Sequence, residues 1–177
     1  MIRLVRVEWL KLRTMRVGFG LLATSAALTA LFASLEASRA GTGQGGVAPL
    51  FTASGLETVT TVTGWSMIFA AVLGVIVTSG EYRHNTATLT YLGTPNRRRV
   101  LVAKTLTAVG SGAIFGLISG LVATGVGLIF VAAHGYHVTL DTGTLVAHIV
   151  GAGVGAALFG AIGAGVGALL RSQLAGV

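Results

Sequence analysis

Four stretches of this chain, residues 17–35, 58–79, 105–133 and 144–170, contain no Asp, Glu, Lys or Arg. An apolar run of about 20 residues, rising about 1.5 Å per residue as a helix, spans a hydrocarbon core about 30 Å thick. A water-soluble domain carrying four such runs in 177 residues would expose a large apolar surface and aggregate. Charged residues are 10% of the chain against about 25% in ordinary globular proteins, and 27 positions are glycine. The expected fold is therefore all-α, a polytopic bundle of four transmembrane helices. Lipid offers the backbone no hydrogen bonds, so even the Thr- and Val-rich start of the second run is expected to stay helical.

The N-terminal segment, residues 1–16, reads MIRLVRVEWLKLRTMR. Ile2, Val5, Trp9 and Leu12 recur at helical spacing among Arg3, Arg6, Lys11 and Arg13, with Arg13 and Arg16 near the edge of the stripe. This predicts an amphipathic interfacial helix on the cytoplasmic leaflet, Trp9 at headgroup level and the cations on anionic membrane lipid. The alternative is a basic flank without fixed structure. Ser38-Arg39-Ala40 weakly fits a signal-peptide cleavage site, but the long basic leader and long apolar run favour an uncleaved span. Residues 36–57, containing GTGQGG and Pro49, have loop composition.

Small residues four apart let helix backbones approach closely. Gly112, Gly116 and Gly120 share one face of the third span; Gly151 with Gly155, and Gly163 with Gly167, repeat the spacing in the fourth. These predict tight packing of the third span on the fourth. The short joining segment, residues 134–143, makes the two antiparallel. Arg171 closes the fourth span, and residues 172–177 read as the start of a fifth.

Charge sets the orientation. With the N-terminus inside, Arg3, Arg6, Lys11, Arg13, Arg16, Arg83, Arg97, Arg98, Arg99, Lys104 and Arg171 are all cytoplasmic, and only Arg39 is outside. That asymmetry obeys the positive-inside rule and places both ends in the cytoplasm. The net charge of +7 does not indicate nucleic acid, because the cations cluster beside apolar runs and not among exposed aromatics.

Few residues are suited to chemistry. The chain has no GxxxxGK[ST] phosphate loop, no HExxH, no GxSxG and no cysteine. It is not expected to be an enzyme, to hold a metal or to bind a cofactor of its own. His134, His137 and Asp141 sit together on an outer segment, where solvated loop residues are a better account than a metal site. His148, near the outer end of the fourth span, either faces the bundle interior or reaches out to water. No charged side chain is placed centrally in a span, which counts against an ion-coupled carrier.

Residues 80–104, GEYRHNTATLTYLGTPNRRRVLVAK, are the long polar segment between spans and hold five of the twelve Lys and Arg. Residues 85–92 suit a short helix stopped by Gly93, Thr94 and Pro95. Leu89, Leu92, Tyr82 and Tyr91 offer aliphatic and aromatic contact area of the kind protein interfaces use. Arg97, Arg98, Arg99 and Lys104 mark re-entry at the headgroups. A solvated loop whose cations only set topology fits the spacing equally well.

The chain resembles the permease subunit of bacterial ABC-2 type ABC transporters, particularly the small actinobacterial kind. The resemblance is carried by VEWLKLRT near the N-terminus and by residues 80–104, where Glu81, Thr86 with Ala87, Pro95 with Arg97 to Arg99, and Lys104 match the family pattern, Asn85-Thr86 standing where Gly-Thr is usual. It implies six spans, an interfacial N-terminal helix, and a coupling helix between the second and third spans that docks on a separate ATPase. Glu81, Tyr82, Arg83, His84, Thr86, Leu89, Tyr91, Leu92 and Pro95 would make that contact. ATP and Mg would be bound by the ATP-binding cassette partner, and two permease copies would pair in the bacterial cytoplasmic membrane. The implied function is export of drug-like, lipid or other amphipathic substrates. Only four spans are present, so the chain is expected to be a piece of a longer permease. The competing function is a non-transporting membrane anchor, assembly factor or immunity-type protein; an intramembrane enzyme lacks a catalytic pair.

Overall fold

The computed structural model describes residues 2–42, 48, 52–83, 97–135 and 142–174. Six helices account for nearly all of these, and no strand occurs among them: α1 (Ile2–Thr14), α2 (Arg16–Thr42), α3 (Ala53–Thr60), α4 (Gly64–Arg83), α5 (Arg97–Ala133) and α6 (Thr142–Leu174). Four helical stretches are long and apolar enough to cross a membrane: 16–40, 57–79, 98–133 and 142–169.

Several boundaries differ from the sequence expectation. The first span does not stop at residue 35. Glu36 and Arg39 lie three apart and pair at 2.8 Å, which carries α2 on to Thr42 and shortens the expected loop. The second span is broken. α3 ends at Thr60, a turn covers residues 61–63, and α4 restarts at Gly64. The hydroxyls of Thr60 and Thr61 donate to the carbonyls of Glu57 and Thr58, so threonine side chains bond the backbone where the helix halts. The polar segment 80–104 is helical at both ends, through Arg83 on one side and from Arg97 on the other. α6 continues through residues 172–174, and residues 175–177 of the expected fifth span lie outside the described residues.

The four spans alternate in direction along the chain. Gly112 meets Ala156 and Gly116 meets Ala152, so α5 and α6 run antiparallel. Gly163 meets Ala71 and Gly167 meets Val75, so α6 runs parallel to α4. Ser25 faces Ser119, and Phe32 stacks on Trp65 with ring centroids 5.1 Å apart. One end of the bundle thus gathers Arg6, Arg13, Arg16, Arg98 and Arg99; the other carries Glu36, Arg39, Glu57, His134 and His148.

The interior is made of small side chains. Ala33, Ala37, Ala40, Val59, Ala123 and Val131 form one buried cluster, and Leu73, Val77 and Phe115 another. Large apolar residues point outward instead: Val146, Val150, Val154, Leu158 and Ile162 form an exposed ridge along α6. This inverted distribution suits a hydrocarbon solvent, where close backbone packing replaces hydrophobic burial as the force between helices.

The glycine seams show that packing. A Cβ on Gly112 or Gly116 would collide with the carbonyls of Ala156 and Ala152, and one on Gly160 would lie 2.5 Å from the Ala108 oxygen. Each glycine therefore presents a Cα hydrogen to a carbonyl of the facing helix, a weak favourable contact. Gly120 lies against Ile149 in the same seam. Gly155, Gly163 and Gly167 face α4 through Met67, Ala71 and Val75, not the third span as expected. Gly151 takes no part: it is exposed, with nothing within 4 Å of where its Cβ would be. It lies outside both contact stripes of α6, which the four-residue spacing alone cannot reveal. Gly74 and Gly153, absent from the expected set, do pack, the first against Gly160 and Ala164 and the second against Leu117.

Candidate functional site at the basic end of the bundle

α1 is a helix because its apolar positions line one side, and its inward face decides what the basic end can do. Val5, Glu8, Trp9 and Leu12 follow one another at steps of three and one, so Glu8 lies within the apolar stripe. A carboxylate there demands a partner. Glu8 is 7% exposed, and its Oε2 lies 3.3 Å from Nζ of Lys104, which is 4% exposed. Lys104 also donates to the carbonyl of Val77 at 3.1 Å, and Lys11 reaches the other Glu8 oxygen at 2.9 Å. One buried ammonium thus ties α1, α4 and α5 together at their shared end.

Lys104 was expected at the headgroups. Its side chain instead turns inward, because it shares a face of α5 with buried Val100, Ala103, Thr107 and Ala108. Breaking such a pair leaves an uncompensated buried charge, whereas keeping it intact holds three elements in one geometry. Trp9 packs beside it, its ring 3.4 Å from the position a Cβ would take on Gly110.

The remaining expected residues distribute as follows. Arg6, Arg13 and Arg16 are exposed on α1 and the start of α2; Lys11 is exposed and pairs with Glu8. Arg3 lies on the first turn of α1. Arg97, Arg98 and Arg99 form the first turn of α5, the latter two exposed. Glu81, Tyr82 and Arg83 belong to the last turn of α4. His84, Thr86, Leu89, Tyr91, Leu92 and Pro95 lie outside the described residues. Glu8 was missed. The signal was present, since it is the lone acid of the N-terminal helix and falls on its apolar side.

At the opposite end, the Thr60 hydroxyl is 2.9 Å from His148 Nδ1, and His148 Nε2 is 3.5 Å from Glu57 Oε1. His148 therefore turns towards α3 while its side chain stays 25% exposed, so it combines the two alternatives its position allowed. His134 Nδ1 donates to the Phe130 carbonyl at 2.9 Å, and its ring stacks on the Phe130 ring; His137 and Asp141 lie outside the described residues. Among the described residues, no three His, Cys, Asp or Glu gather as a metal site would require.

Between α2 and α5, Ser25 and Ser119 approach to 3.4 Å in a fully buried setting. Comparison with protein-family models, curated proteins and solved structures finds no match for this chain.

Proposed function

We propose that this chain is the membrane-spanning permease subunit of an ATP-binding cassette transporter of the ABC-2 type. It sits in the bacterial cytoplasmic membrane with its basic end in the cytoplasm, in keeping with the positive-inside rule. A separate ATPase supplies the energy and holds ATP and Mg. A second permease copy completes the unit, which exports drug-like, lipid or other amphipathic substrates.

The observation that carries this is the Glu8–Lys104–Val77 link. α4 and α5 flank the polar segment 84–96, on which a motor subunit would press. Lys104 joins the bases of these helices to each other and to α1. Displacement of the segment then moves three elements as one body, the rigid rocking on which alternating access depends. α1, lying along the interface, carries the motion into the lipid boundary.

Co-expression with a candidate ATP-binding cassette ATPase, followed by co-purification, tests the proposal. Replacing Leu89 and Tyr91 with Asp places charge in the proposed contact and is expected to abolish association. Undiminished association of that variant would refute the coupling role.

A further inference from the structure

At Trp9 and Leu12, α1 does not close completely on the bundle. An open groove of about 100 Å³ remains, walled by Trp9 and Leu12 of α1, Leu22 of α2, Leu73 of α4 and Phe115 of α5. Its lining is almost wholly apolar, and Phe19 and Ile114 at its edge are exposed. Arg13 lies on its rim, and Arg16 begins the adjoining helix; both are exposed. Gly18 opens the wall, since a Cβ there would touch only Leu12 and Leu73, at 3.7 and 4.0 Å.

We propose that this groove binds one acyl chain of an anionic phospholipid whose phosphate rests on Arg13 and Arg16. Charge complementarity fixes the occupant. The mouth is cationic, the floor is apolar, and the two are one amphipathic molecule apart. From Arg16 to Leu22 is six residues of helix, about 9 Å. That matches the depth of about 5–10 Å to which an interfacial helix sinks into the boundary between headgroups and acyl chains. A phosphate level with the arginines therefore sets the first methylenes of its lipid against Leu22 and Leu73. The groove lies where α1 meets the bundle, so an occupying lipid stabilises the docked position of α1 through contacts on both sides. This site needs only the bilayer and does not rest on the transport reading.

The test is native mass spectrometry of the full chain released from nanodiscs of equal parts phosphatidylglycerol and phosphatidylcholine. The wild type is expected to retain phosphatidylglycerol in preference. Arg13→Gln is expected to lower that preference about fivefold while adducts persist, the effect of one cation beside an anionic surface. Gly18→Leu fills the groove and is expected to remove adducts of both lipids. Gly18→Ala, which meets no close contact, is expected to reduce them only partly. Circular dichroism confirms that each variant keeps its helices. Equal retention of the two lipids by the wild type overturns the proposal. So does unchanged retention in a helical Gly18→Leu protein, or a wild type that flies as an adduct-free dimer because a second copy fills the groove.

Discussion

The Thr60 hydroxyl and His148 Nδ1 stand 2.9 Å apart and join α3 to α6 across 88 positions of sequence. Thr60 has one hydroxyl proton and donates it to the Glu57 carbonyl at 2.9 Å. Towards His148 it therefore accepts, and Nδ1 must carry the proton. Nε2 then faces the Glu57 carboxylate, a contact that becomes an ion pair when the imidazole is charged. Nitrogen NMR of histidine-labelled protein is expected to find His148 Nδ1 protonated. In Thr60→Val that signature is lost, with a cost of about 1 kcal/mol, because the removed acceptor is replaced in part by water. An unprotonated Nδ1 in the wild type would show that the bond runs the other way.

The buried Glu8–Lys104 pair predicts a non-additive result. Glu8→Ala takes a carboxylate partner away from an ammonium that is 4% exposed and that still donates to the Val77 carbonyl. The expected loss is about 3 kcal/mol, the lower end for a broken buried pair. Glu8→Leu combined with Lys104→Met removes both charges and is expected to recover most of that loss. Unfolding in detergent, followed through Trp9 fluorescence beside Gly110, measures each variant. Equal losses in the single and double variants would mean that the pair does not anchor α1.

Hydropathy made the four spans legible, because residues 17–35, 58–79, 105–133 and 144–170 cannot be dissolved in water. It misjudged their ends for a physical reason. Glu36 and Arg39 look like loop residues singly and are helix-stabilising as a pair at 2.8 Å. The turn at residues 61–63 depends on threonine hydroxyls choosing the backbone, which composition does not express. The glycine spacing announced close packing but not the partner. Gly163 turned out to face Ala71 of α4, while Gly151 faces outward. Lys104 was read by its place after three arginines, and its inward rotation follows only from the buried face it shares with Ala103 and Thr107.

Glycines in the seam and glycines outside it are expected to respond oppositely to alanine. Gly116→Ala forces a methyl into the Ala152 carbonyl, and Gly163→Ala does the same at Ala71. Neighbouring backbones must separate, at a cost of about 1–3 kcal/mol for each. Gly151 and Gly165 have open space where a Cβ would stand, and both are helical. Alanine there is expected to stabilise by about 0.5–1 kcal/mol through helix propensity alone. Thermal unfolding in one detergent ranks the four. A destabilised Gly151→Ala would indicate a packing partner on that outer face.

Two buried hydroxyls give a sharper test of the packing between α2 and its neighbours. Thr78, Thr105 and Thr107 donate to carbonyls four residues earlier, the usual resolution for threonine in a helix. Thr29 and Thr124 are buried without a hydrogen-bond partner among the described residues. An unmade hydrogen bond in an apolar setting costs about 1–3 kcal/mol. Valine keeps the shape and discards the polar atom, so Thr29→Val and Thr124→Val are each expected to raise stability by about 1 kcal/mol. Thr78→Val serves as the control. Its hydroxyl is already bonded to the Gly74 carbonyl at 2.9 Å, so its replacement gains nothing and forfeits that bond. The outcome that contradicts this account is a loss of stability at Thr29 or Thr124 matching the loss at Thr78. That result would mean the hydroxyls are paired in the bilayer after all, and that the seam between α2 and α5 holds water.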